Sequence, residues 1–171
     1  RADQAEYLTA HGYRHVRAIG LPIVYAPDLH VRRIPGSLLV LPPHSHKSHG
    51  PDDPNAELYA AMIADLKPRF AHIRVGLHED DIAKKQWVES FRRRGIEVFA
   101  TTDQSDPDTL LRLKRILCTF EYVTTNGFGS HIALAAYCGA RISVYGPFAE
   151  FPYERMKGTH AVKMFPRLLD Q

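Results

Sequence analysis

Short apolar runs alternate with longer stretches of helical periodicity along most of this chain. Ser37–Leu41 is an apolar run closed by Pro42-Pro43, the mark of a strand covered on both faces. Behind it, Asp53-Pro54 opens a segment in which Leu58, Met62 and Leu66 recur at helical spacing. Ile73–Leu77 reads as a second strand. Asp80 to Arg94 reads as a helix with Ile82, Val88 and Phe91 on one side, stopped by Gly95. Ile96–Ala100 is a third strand. Asp106-Pro107 then caps a helix whose apolar stripe is Leu110, Leu113, Leu117 and Phe120. The series closes with a strand at Tyr122–Thr125, a turn at Asn126–Gly129, a charge-free helix through Ile132 to Ala136 that is expected to be buried against the sheet, and a strand at Ile142–Tyr145.

Strands and helices that alternate strictly in this way predict an α/β fold. The expected architecture is a parallel sheet of about five strands with right-handed crossovers and helices on both faces. The N-terminal part does not share the rhythm. Ala2 to His11 is a short helical pattern closed by Gly12, Val16–Ile19 is a candidate strand, and Arg32 to Gly36 reads as a linker. Residues 1–36 are therefore expected to be a helix and linker, the tail of a preceding domain; residues 37–150 are the α/β domain and 151–171 a C-terminal tail. The chain opens on Arg1 rather than Met, and is expected to be part of something longer.

Composition narrows the class. With 44% apolar and 24% charged residues over 171 positions, the chain has the make-up of one globular domain. No apolar run approaches the roughly 20 residues that a membrane-spanning helix needs. The net charge of +3 is modest, and Arg92-Arg93-Arg94 suits a helix end, so nucleic acid is not expected as a partner. Cys118 and Cys138 lie in apolar helical contexts and fit buried thiols of a reducing compartment. The expected location is the cytoplasm, extending to the inner face of the membrane.

Ligands of open parallel sheets bind outside the carboxyl ends of the strands. Three loops there compete for the site: Pro42–Asp53, His78–Asp80 with Thr101–Ser105, and Asn126–Ser130. In Asn126-Gly127-Phe128-Gly129-Ser130-His131, glycines are expected to permit unusual backbone angles and close approach of a ligand, while the next helix points its free N–H groups into the turn, a setting that favours phosphate. His131 reads either as a ligand contact or as a cap or polar core residue. The loop His44-Ser45-His46-Lys47-Ser48-His49 has the spacing H-x-H-x-x-H, which suits metal. It differs from the metallo-β-lactamase pattern H-x-H-x-D-H by Ser48, and that fold needs antiparallel sheets. The same residues serve equally as phosphate donors facing the turn, or as a plain exposed loop. Glu79-Asp80-Asp81 suits a helix start better than a base, and Glu150 is placed to bind a sugar or ribose hydroxyl.

The run T-N-G-F-G-S-H-I-A-L-A-A-Y-C-G-A-R-I-S-V-Y-G-P resembles the donor-binding half of GT-B glycosyltransferases. It is similar to the heptosyltransferase-like pattern D-[ST]-G-x-x-H-[LI]-A followed by G-[KR]-P, a strand and Gly-Pro, although the spacing from His131 to Gly139 is longer and Asn126 stands nearest the Asp. From Arg32 onward the chain also resembles uncharacterised proteins of bacterial capsule and surface-polysaccharide gene clusters. The resemblance implies a Rossmann-like C-terminal half of a GT-B enzyme, with a nucleotide-sugar donor as substrate and no further cofactor. Gly127, Gly129, Ser130 and His131 would contact phosphate, and residues after Gly146-Pro147 would lie near sugar or base. A saccharide acceptor, and a preceding acceptor-binding domain or partner chain, would complete the reaction. The alternatives are a non-catalytic nucleotide- or sugar-phosphate-binding module and a His-loop metal-dependent hydrolase.

Overall fold

A computed structural model describes residues 2–43, 55–83, 85–103 and 105–149. Leu38 and Val40 of the first strand point to one side of a sheet, Leu39 and Leu41 to the other, and all four are buried. That alternation is the two-residue period of an extended chain, and it gives two apolar faces for helices to cover. The strands are β1 (Ile34–Val40), β2 (His72–His78), β3 (Glu97–Thr102), β4 (Phe120–Thr125) and β5 (Arg141–Val144). They form one all-parallel sheet in the order β3-β2-β1-β4-β5. The fold is a Rossmann-like α/β fold, as the alternation of elements predicted.

Helix α1 (Ala2–Ala10) buries no residue. Helices α2 (Ala56–Ala64), α3 (Glu79–Ala83) and α4 (Gln86–Arg92) cover one face. There Ala56, Tyr59, Ala60 and Ile63 meet Trp87, Val88 and Phe91 over Leu38, Val40, Val75 and Leu77. Tyr59 packs edge-on against both Trp87 and Phe91, which stack on each other. Helices α5 (Thr109–Thr119) and α6 (Ser130–Tyr137) cover the other face, where Leu117 and Ala135 meet Leu39, Leu41 and Val123.

Five local readings differ from the sequence expectation, the first being Phe120, which opens β4 instead of closing the apolar stripe of α5. Val16–Ile19 is irregular rather than a strand. The strand expected at Ser37 begins at Ile34 instead, through an irregularity between Ile34 and Leu38 at which Gly36 takes φ 66° and donates to Glu121 Oε2. The helix expected over Asp80–Arg94 is broken in two, with Lys85 at φ 64°. A left-handed non-glycine residue costs about 1–2 kcal/mol, and no Gly or Pro in the segment announces it. The charge-free helix α6, expected to be buried, buries Ala135 but leaves Ala133, Ala136 and Tyr137 exposed.

The chain ahead of β1 reaches the domain. The short 3-10 turn Pro22–Tyr25 sets Ile23 fully inside the second core. Lys114 Nζ donates to Ala26 O, and the Arg33 guanidinium donates to the carbonyls of Phe120 and Cys138. Cys118 and Cys138 are free and half-buried; burial first, then the neighbouring Cys118 thiol, pushes the Cys138 thiol up to about 11. Cys138 is therefore protonated and poorly nucleophilic at neutral pH.

Gly76 marks the tightest point of the sheet. A Cβ there would sit 2.3 Å from Thr101 Cγ2 and 3.0 Å from Leu41 Cδ2. Thr101 is buried and its hydroxyl donates to Leu77 O, so it has little room to move. Gly76→Ala is expected to cost about 1–3 kcal/mol by overpacking. A urea melt in which the variant matches the parent would contradict this close packing.

Candidate functional site

Strand order reverses at the boundary between β1 and β4. The chain leaving β1 turns toward α2 on one face, and the chain leaving β4 turns toward α6 on the other. A crevice outside the carboxyl ends of these two strands is what such a switch point creates. Leu41 N donates to Thr124 O, which carries the pairing to the very end of β1. Pro43 then lies over the turn, so close that a Cβ on Gly127 would come within 2.7 Å of its Cγ.

The turn after β4 is tied together by one hydroxyl. Thr125 Oγ1 donates to Gly127 O at 3.1 Å, and the imidazole Nε2 of His131 lies 2.9 Å from the same oxygen. Because the hydroxyl hydrogen is committed to Gly127, the imidazole must be the donor, which assigns the Nε2–H tautomer from the network. Burial lowers the His131 pKa, with a main-chain hydrogen bond at Gly127 opposing it, so the ring is neutral at pH 7. As placed here, His131 braces the turn.

The two glycines act differently from the expectation. Gly129 has φ 178°, ordinary extended backbone, and Gly127 is not among the positive-φ glycines. What they supply is space. A Cβ at 129 would stand 2.7 Å from both Cε1 and Nδ1 of His131, and one at 127 would strike Pro43 and Ala149.

Asn126 is fully buried and joins this turn to the chain after β5. Its Nδ2 donates to Pro147 O at 2.9 Å, and its carbonyl accepts from Ala149 N at 2.7 Å. Its Oδ1 has no partner among the described residues. Gly146, at φ 107°, lies on the Tyr59 ring, where a Cβ would come within 2.4 Å. The Tyr59 hydroxyl is likewise buried without a partner among the described residues, and burial raises its pKa.

Helix α6 opens directly onto the crevice. Gly129 is its N-cap and has no side chain with which to cap it. The first-turn amides of Ser130 and His131 have no acceptor within the helix. Ser130 and Phe128 are exposed beside them, Phe128 to 71%. Thus Asn126, Gly127, Phe128, Gly129, Ser130 and His131 do come together at one strand end. His44, Ser45, His46, Lys47 and Glu150 lie outside the described residues. The expected acidic run behaves as helix charge, Glu79, Asp80 and Asp81 forming the first turn of α3 after β2. Among the described residues no group of His, Cys, Asp and Glu is arranged to hold a metal.

Sequence reasoning missed Thr125 and Tyr59 as parts of this site, and reached Phe148 only as one of the residues after Gly146-Pro147 that the resemblance implies near sugar or base. Their roles depend on which loops the strand order brings together, and no local pattern carries that. A cleft of about 560 Å³ lies elsewhere, at the amino ends of the strands, lined by Lys67, Phe70, His72, Arg74, Glu97 and Phe120 among others. Arg74 is already engaged there with Glu97 and over Phe99, and the Lys67 ammonium with Arg94 O. We therefore place the candidate site at the carboxyl ends, where the first amides of α6 have no acceptor among the described residues. Compared with known families, curated proteins and solved structures, the chain finds no family model, protein or structure that matches.

The bracing role of His131 makes a specific prediction. Gly129→Ala is expected to push the ring off Thr125 and cost about 1 kcal/mol, the worth of one hydrogen bond. In a His131→Ala background the same change is expected to cost almost nothing, a coupling that a double-mutant cycle of melts reads directly. Strict additivity would contradict it. The depressed pKa also fixes a sign: the neutral ring's contribution is complete above the ordinary pKa of 6.5 and is lost as pH falls through the lowered folded value.

Proposed function

We propose that this chain is the donor-binding domain of a glycosyltransferase, holding a nucleotide-sugar diphosphate at the start of α6, and that it acts in bacterial surface or capsular polysaccharide synthesis. The observation that carries the reading is the uncapped N-terminus of α6 on the β1/β4 crevice. Free amides and the helix dipole favour an anion there, and a diphosphate is the anion such crevices take. In the reaction, the bond between the sugar's anomeric carbon and the diphosphate oxygen breaks as a bond to an acceptor hydroxyl forms. The amides at Ser130 and His131 stabilise the charge that builds on the departing diphosphate. The hydroxyl proton passes to a base on the acceptor side of the cleft. The assignment of His44, Ser45, His46, Lys47 and Glu150 to the same ligand stands on the sequence alone, as do the cellular setting and the acceptor.

One observation favours a second reading, a nucleotide- or sugar-phosphate-binding module without catalysis. At the described turn, the titratable side chain is His131, and it is neutral and engaged with Thr125.

Calorimetric titration with UDP, GDP, ADP and CMP, with and without chelator, tests the ligand class. At least one diphosphate is expected to bind, chelator is expected to change nothing, and this chain alone is expected to transfer no sugar. Ser130→Pro isolates the helix amide. Proline suits the first helical position, and Gly129 already has the extended backbone that a following proline requires. The fold should persist while diphosphate binding weakens by about 1.5–3 kcal/mol, the worth of a hydrogen bond to a charged group. Ser130→Ala controls for the hydroxyl. Full affinity in a folded Ser130→Pro protein would remove this phosphate site, and turnover by this chain alone would contradict the need for an acceptor half.

A further inference from the structure

Two phenylalanine rings stand in solvent beside the start of α6. Phe128 is 71% exposed and Phe148 46% exposed, with ring centroids 5.3 Å apart and planes at 67°. They leave the carboxyl ends of neighbouring strands, β4 and β5. The loops that carry them are clamped together by the Ala149 N to Asn126 O and Asn126 Nδ2 to Pro147 O hydrogen bonds. The pair is thus held in place before any ligand arrives. Phe128 has glycine on both sides, so no adjacent side chain shields its ring.

Exposed apolar rings held in a fixed arrangement beside free amides mark a binding surface. In an edge-to-face pair one ring presents its edge to a single face of the other, so flat π surface remains open on both. Neither ring carries a hydrogen-bonding atom. Their occupant is therefore a planar group recognised by its face, attached to something anionic enough to sit on the amides of Ser130 and His131. A nucleoside diphosphate has this combination. Tyr137, also half exposed, lies at the other end of α6, so among the described residues the patch by the turn is two rings and not the broad apolar face that a protein partner covers.

We infer that Phe128 and Phe148 form a stacking platform for the base of a nucleoside diphosphate whose phosphates occupy the start of α6, an inference that rests on the phosphate reading given above. A platform without hydrogen-bonding groups tolerates every base, so uridine, guanosine and adenosine diphosphates bind with similar strength.

The test compares UDP, GDP and ADP with methyl diphosphate, which carries the same phosphates without a base, by calorimetry on the full chain. Each nucleotide is expected to bind roughly five- to a hundredfold tighter than methyl diphosphate, the range a stacked base supplies. In Phe148→Ala and in the bulk-preserving Phe148→Leu that ratio is expected to fall toward one, and in Phe148→Trp to be kept. Methyl diphosphate binding with no nucleotide advantage overturns the platform alone. An advantage that survives in a folded Phe148→Leu protein does the same. If the parent protein binds neither compound, the phosphate reading falls and the platform falls with it.

Discussion

Leu38 and Val40 pack toward one helical layer while Leu39 and Leu41 pack toward the other, so the central strand has no face left for water. Everything else in the arrangement follows from satisfying that strand. Its backbone groups pair on both sides, with β2 and with β4, and its two faces need separate helical covers. Right-handed crossovers then send successive units outward in opposite directions, toward β3 on one side and β5 on the other. The place where the direction changes is the one edge of the sheet at which consecutive loops part instead of crowding. The candidate site is a consequence of how β1 is buried.

Within that opening, the turn after β4 is rigid for reasons of volume and hydrogen bonding. Glycines at 127 and 129 give way to Pro43, Ala149 and the His131 ring, and the Thr125 hydroxyl collects the remaining polar groups. A braced turn whose following helix begins with amides that have no acceptor among the described residues is pre-organised for an anion, because little has to be ordered when the ligand binds. The buried Asn126 Oδ1 and Tyr59 hydroxyl, without a partner among the described residues, belong to the same region.

The fold was legible because its signals are local. Apolar runs bounded by Pro and Gly, set between helical stripes, give the element order, and alternation gives the parallel sheet. The turn at Asn126–His131 was legible as a feature of composition, yet its physics was misread: glycine suggested unusual angles, whereas the structure uses its lack of a side chain. Lys85 breaks a helix with no breaker in sequence, and Ile23 joins the core from a segment outside the repeating rhythm. Nothing in the structure explains the break at Lys85, whereas Ile23 is placed by contacts distant in the chain, with Leu39, Leu117 and Val123 of the second core. Thr125 was hidden for the same reason, since a threonine in a strand carries no mark of what it will face.

The anion site proposed at the carboxyl ends of β1 and β4 lies on the amides that begin α6. Its most direct measurement is residue-resolved amide NMR of the full chain during titration with inorganic pyrophosphate. The largest shift changes are expected on Gly129, Ser130, His131 and Ile132, with smaller ones at Gly127 and Ala149. Changes gathered instead around Lys67, His72 and Arg74, in the cleft at the amino ends of the strands, would contradict it.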